Sequence, residues 1–436
     1  MVPRAGVEPA RPCGQRILSP LRLPFRHPGE SRANESEPEA SAADYTGALP
    51  RRPAVGIFAR MDLGRSKTIL PPAAALLSGE IQVNRRDFLR RASYASAAAL
   101  LLDHVGSGRA ATTRKQVLVD GRPVRVVDVH AHCIIPDLKL TVPDAHPPHS
   151  AMDAALTLGP HRLDVMNARG IDVQTLSINQ YWWYAADRDL ARRIVAAHDR
   201  ALAAWCRVHP DRFVAVSSVA LQYPDLAARQ LDYAVSTLGL RGACVGGNVA
   251  GKPPTSAAFD PFWAKAEALG VPVFMHPTNA ENLVRKGALS GRGDLGNIVG
   301  NPLETTVFLS HMIFDGVLDR FPKLKIVAAH GGGYLPSYLG RTDVACDVRP
   351  KANCANRRRP SEYFRDQILV DSMVFSAEGL RHLVAETGPS QVVYGSDIPY
   401  NWPDTIDLIV ASPALRAADK VAILGGNLIE LLKIQA

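Results

Sequence analysis

Between residues 124 and 396, eight short runs of β-branched and other apolar residues recur, at 124–130, 173–178, 213–220, 242–245, 271–276, 325–330, 368–372 and 392–396. Longer stretches of helical character separate them, for example 187–208, 224–238 and 260–269. In the first of these, Leu190, Ile194, Ala197, Ala201 and Ala204 form an apolar stripe at three- and four-residue spacing, the mark of a helix with one buried face. Eight β-then-α units predict an α/β fold: a (β/α)8 TIM barrel with insertions, with a doubly wound open sheet as the alternative. Two connections, 133–158 and 277–303, are long, and in a barrel both lie over the C-terminal mouth where substrates bind.

Charge narrows the possible partners. Residues 1–112 hold 16 Lys+Arg against 10 Asp+Glu, and the remainder 34 against 32. The body is thus close to neutral and carries no footprint for nucleic acid. Six cysteines (Cys13, Cys133, Cys206, Cys244, Cys346, Cys354) are scattered without a C-x-x-C pair, so they read as buried or free thiols. Strand alternation points Cys133 away from its neighbour His132, which gives it a structural role.

The chain divides at two places. Residues 1–83, rich in Pro, Arg, Ala and Glu, cannot bury enough apolar surface to offset their ordering entropy, and read as disordered or as an over-extended start with Met61 as a later initiator. Residues 84–112 begin Asn84-Arg85-Arg86-Asp87-Phe88-Leu89-Arg90, continue through an apolar stretch from Ala95 to Leu102, and end in small residues from Gly106 to Ala111. That order matches a twin-arginine export leader and predicts a periplasmic protein; a short basic helix on a cytoplasmic protein is the alternative. The apolar stretch falls well short of the ~20 residues a stable membrane span needs. Residues 113–436 form the predicted barrel.

The chemistry lies at the strand ends. His130 and His132, in Val127-Asp-Val-His-Ala-His132, sit two apart on a strand and project together. His276 closes the fifth run, His330 the sixth, and Asp397 follows the eighth. Each alone reads as an ordinary buried residue. Together, four histidines and one aspartate at successive strand ends face one cavity if the barrel closes, and imidazole with carboxylate suits a divalent ion.

These stretches, together with His209-Pro-Asp-Arg-Phe213, Phe274-Met-His-Pro277, Phe321-Pro-Lys-Leu-Lys-Ile-Val-Ala-Ala-His-Gly-Gly-Gly333 and Tyr394-Gly-Ser-Asp397, resemble the amidohydrolase-related family over residues 124–436, in particular its aminocarboxymuconate-semialdehyde decarboxylase-like branch. The resemblance implies His130, His132, His276 and Asp397 as metal ligands and His330 as the catalytic histidine. It also implies Arg341 as a substrate-carboxylate arginine contributed across a homodimer interface. The implied cofactor is one divalent ion, zinc by expectation with manganese as the alternative. The implied activity is decarboxylation of an aromatic or unsaturated small-molecule carboxylic acid; hydrolysis of an amide, ester or lactone needs the same parts and stays open. Binuclear relatives use a carboxylated lysine ending strand four. Here that strand reads Arg241-Gly-Ala-Cys-Val-Gly-Gly247, with no lysine before Lys252, which favours a single metal. The sequence departs from the branch in the loop after His276, which has five glycines from Gly287 to Gly300 and no tryptophan. Tyr181-Trp182-Trp183-Tyr184 offers an alternative aromatic wall, or else packs beneath a loop.

Overall fold

A computed structural model describes residues 113–135, 152–178, 182–278 and 280–435. The sequence readings for residues 1–83 and for the leader at 84–112 therefore lie outside the described residues, as do Tyr181 and most of the first long loop.

The eight runs form eight parallel strands: β1 Val127–His132, β2 Val173–Ser177, β3 Phe213–Ala215 continuing as Ser217–Ser218, β4 Ala243–Val245, β5 Val273–Met275, β6 Ile326–Ala328, β7 Ile368–Asp371 and β8 Val392–Val393. β3 changes partner at Val216: its first half pairs with β2 and its second with β4. Closure comes between β8 and β1, where Val129 N–H donates to Tyr394 O (3.1 Å) and Asp397 N–H donates to His130 O (2.8 Å). The sheet is thus a closed barrel, and the open-sheet alternative falls away.

Side-chain alternation sorts the apolar residues into two layers. Val127, Val129, Val173, Val214, Val216, Cys244, Phe274, Val327, Leu369 and Val393, at least one from every strand, share one buried cluster and fill the barrel. Their alternating neighbours, such as Val126, Leu176, Met275, Ala328 and Val370, join the larger cluster under the surrounding helices. Those helices include α1 Pro160–Arg169, α2 Arg188–Val208, α3 Pro224–Ser236, α4 Asp260–Leu269, α5 Asn301–Phe314, α6 Leu339–Asp343, α7 Pro360–Phe364, α8 Ala377–Thr387 and α9 Asn427–Leu431. Leu428 of α9 and the following Leu432 join the inner cluster.

α2 illustrates the local logic. Asp187 caps it by accepting the Leu190 N–H at 2.8 Å, satisfying one of the first turn's free donors. Its buried stripe runs through Ala191, Ile194, Val195 and Leu202. Leu202→Ala, at 0% exposure, removes contacts worth roughly 2–5 kcal/mol.

One expectation about the cysteines is corrected. Cys346 and Cys354 form a disulfide, with Cα atoms 6.1 Å apart. Asn353, in the left-handed region at φ 52°, turns the chain back so that residues eight apart come within bridging reach. Linear spacing carries no sign of such a turn. Cys133 is fully buried, as alternation implies.

Candidate metal centre

β1 is irregular where it matters. Its register against β2 shifts between Asp128 and Ala131, so three steps on β1 oppose two on β2. Val129 packs into the barrel interior, yet the next residue, His130, also turns inward, its ring 5.3 Å from Phe274. Such a bulge re-aims side chains at a strand end. It brings His130 and His132 to the mouth together, with their Nε2 atoms 3.3 Å apart.

His276 follows β5 by one residue and Asp397 follows β8 by four. Ligand atoms of His130, His132, His276 and Asp397 all lie within 4.8 Å of one another, and all four residues are buried. Asp397 Oδ1 is 2.9 Å from His132 Nε2 and 3.2 Å from His130 Nε2, but it is buried without a hydrogen-bond partner. His276 Nδ1 lies 2.9 Å from Pro277 O, a contact that makes it the donor and leaves the Nε2 lone pair free. Three imidazole nitrogens and an orphaned carboxylate oxygen converging on one point are a donor set a divalent cation satisfies. The residues present therefore fit the group their types suggested.

His330 stands beside this set, its ring 5.2 Å from that of His130 and 5.3 Å from that of His276. It is half-buried, two residues beyond β6, with its backbone in the left-handed region at φ 56°. Asp397 shares that region at φ 55°. Non-glycine residues persist there only where surroundings over-determine them, as at functional sites.

Gly331, Gly332 and Gly333 follow His330 in a tight turn. All three have positive φ, and a Cβ on Gly333 would lie 2.3 Å from Pro302 O and 2.6 Å from Thr306 Oγ1 of α5. A Cβ on Gly331 would meet Val374 Cγ1 at 3.0 Å and one on Gly332 would meet Val370 Cγ1 at 2.7 Å, so the missing side chains let the turn lie close against its neighbours.

Asp371, at the end of β7, was not singled out from the sequence. Its carboxylate accepts the His130 Nδ1–H (2.8 Å), the His330 N–H (3.0 Å) and the Gly331 N–H (2.7 Å). One buried side chain thus orients a metal-site histidine and pins the His330 turn. The signal available in sequence was an aspartate at the end of an otherwise apolar strand.

Burial and mutual proximity set the charge states. Burial lowers His132, and burial reinforced by neighbouring imidazoles holds His276 well below the usual histidine range. His330 is brought down to about 4 by burial and by His130. Burial would also depress His130, but the carboxylates of Asp397 and Asp371 overcome it and raise it to about 10. Burial works against ionised Asp397, yet His130 and His132 hold it well below the carboxylate range. Neutral imidazole and ionised carboxylate are the forms that bind a cation; His132, His276 and Asp397 are held in them, and a cation entering the site displaces the second proton of His130.

The other predicted residues divide. Arg341 lies on α6 and is exposed, and its side chain makes no hydrogen bond or ion pair among the described residues. Trp183 is buried in the outer core against His198, which is packing. Trp182 instead packs on the inner cluster, its Nε1 donating to Pro277 O (3.3 Å) beside His276, and so does form a wall of the mouth. After β4, a Cβ on Gly246 would lie 2.2 Å from Thr278 Cγ2, and one on Gly247 2.6 Å from Glu304 Cγ. A side chain at either position would have to displace Thr278, Glu304 or Met275. No helix among the described residues is long and apolar enough to cross a membrane.

Comparison with known proteins agrees with this geometry. The chain is 31% identical over 340 residues to the 2-amino-3-carboxymuconate-6-semialdehyde decarboxylase of Dictyostelium discoideum, covering 76% of this chain and 84% of that protein. It is 30% identical to the gamma-resorcylate decarboxylase of Rhizobium sp. (strain MTP-10005), covering 63% and 86%. The solved 2,6-dihydroxybenzoate decarboxylase from Rhizobium superposes with a TM-score of 0.64 at 26% identity, over 72% of this chain and all of the other. Two further solved decarboxylases of this fold, at 23% identity, contain bound manganese. The amidohydrolase model Amidohydro_2 matches residues 127–434, from the first residue of β1 to beyond α9, and the chain belongs to that family.

Proposed function

We infer that the protein is a metal-dependent decarboxylase of an aromatic carboxylic acid, of the kind its relatives act on. The observation that carries this is the convergence of His130, His132, His276 and Asp397 beside His330, in a chain alignable over most of two decarboxylases. The four residues are proposed to hold one divalent ion, zinc or manganese; the N3O donor set suits both, and manganese occurs in solved relatives. A bound ion supplies positive charge that orients an acidic substrate and stabilises charge developing on it. His330, neutral at rest, is proposed to take up a proton from the acid substrate or from solvent and pass it to the ring carbon bearing the carboxylate. The bond from that carbon to the carboxyl group then breaks, its electron pair restoring the ring as CO2 leaves. Trp182 shields one side of the mouth from water.

Two further proposals concern the whole protein. Arg341 is proposed to meet substrate in the site of a second copy within a homodimer; its exposure beside Tyr338, Val344 and Val348, at 58%, 49% and 64%, supports a covered face there. Export through the twin-arginine leader is proposed from Arg85 and Arg86, and the Cys346–Cys354 bridge suits an oxidising compartment.

The test is CO2 release. Purified protein loaded with Mn2+ or Zn2+ is offered a panel of hydroxybenzoates and unsaturated acids, alongside esters, amides and lactones. CO2 evolution from an acid upholds the reading. Cleavage of an ester, amide or lactone without CO2 would make the protein a hydrolase.

A further inference from the structure

Behind the four converging side chains lies a second polar cluster. Asp128 is fully buried at the start of the β1 bulge. Its Oδ1 accepts the backbone N–H of His130 (3.0 Å) and of Ser396 (3.0 Å). Its Oδ2 accepts the Ser396 hydroxyl (2.6 Å) and the Gln174 side-chain amide (2.9 Å). Gln174 in turn accepts from Arg162 Nη1 (3.2 Å), while Arg162 Nη2 donates to His132 O (2.8 Å). Arg162 belongs to α1 and is 1% exposed.

A buried carboxylate and a buried guanidinium are costly, and apolar residues of similar volume often serve stability as well or better. What an apolar side chain cannot do is hold two backbone N–H groups on one oxygen. Asp128 Oδ1 does so for His130 and for Ser396, the residue immediately before Asp397. It therefore spans the closing seam of the barrel, where β1 and the segment after β8 each bring part of the ligand set. The same carboxylate holds the bulge that turns His130 inward and the segment that leads into the left-handed Asp397.

We propose that Asp128 is a positioning residue that sets the spacing between His130 and Asp397, with Gln174 linking it by hydrogen bonds to the buried Arg162 guanidinium. The inference rests on the metal-centre reading and goes beyond it, since Asp128 is outside the converging set.

Full-length protein, stripped of metal and titrated with Co2+ and with Mn2+, tests this through affinity and through the visible absorption of the Co2+ form. Asp128→Asn should weaken Co2+ and Mn2+ binding about 10–100-fold and shift the Co2+ bands, as loss of a residue that orients ligands does. Ser396→Ala keeps the carboxylate and removes one of its donors, so it should give a smaller change in the same direction; it carries the test if Asp128→Asn does not fold. Folded variants that bind both ions with wild-type affinity and an unaltered spectrum, whatever their metal-free melting temperature, would reduce Asp128 to a structural residue and overturn the proposal. A wild-type protein that takes up neither ion overturns the metal centre itself, and this inference with it.

Discussion

Asp371 Oδ2 lies 2.8 Å from His130 Nδ1, with both side chains at 0% exposure. The contact keeps a proton on Nδ1, so Nε2, which faces Asp397, is the nitrogen that gives up its proton when a cation binds. Asp371→Asn replaces one acceptor oxygen with a donor that must confront an N–H of the His330 turn or of His130. Metal affinity should fall about 10–100-fold. Titration calorimetry with Mn2+ gives the answer, and wild-type affinity would remove Asp371 from the site.

His276 tests the ligand set directly. His276→Ala deletes one of three imidazoles, so metal content and turnover should be lost together. Elemental analysis of the purified variant is decisive: full occupancy would exclude His276 as a ligand.

Turnover should separate from metal binding at His330. His330→Ala is expected to keep its metal and melting temperature while turnover drops ~10²–10⁴-fold, with KM changing less than kcat. Loss of metal would make His330 a ligand; near-normal turnover would end its role in proton transfer.

Asp199 on α2 offers a prediction away from the site. Burial pushes its carboxyl up to about 7, against which the Ser217 hydroxyl, donating at 2.7 Å, works only in part. A folded value above the unfolded one means the native state holds the extra proton. Stability is therefore highest below the unfolded value near 4 and declines as pH rises toward about 7, then levels off. Asp199→Asn should flatten that decline and stabilise the protein at pH 8 by up to a few kcal/mol. Parallel pH-dependent stability curves for the two proteins would contradict this.

Export makes a separate claim. Replacing both Arg85 and Arg86 with Lys keeps the charge but removes what the export receptor reads, so a tagged protein should remain in the cytoplasm. Undiminished periplasmic recovery would defeat it.

The sequence by itself determined the barrel and most of its centre. Eight apolar runs of strand length, each ahead of a helical pattern, leave few architectures that bury both faces of every strand. His130, His132, His276, His330 and Asp397 were legible because each closes or follows such a run, and strand ends on one side of a barrel share one mouth. Only the tertiary structure decided what holds them there. The β1 bulge that turns His130 inward, the Asp371 and Asp128 carboxylates reaching other strands, and the fit of Gly333 against α5 are relationships across the closed sheet. Their partners lie 27 to 268 residues apart in sequence, so no local period encodes them. The Cys346–Cys354 bridge was hidden for the opposite reason: its partners are close in sequence, but they meet only through the folded path of residues 345–353, which ends in the left-handed Asn353.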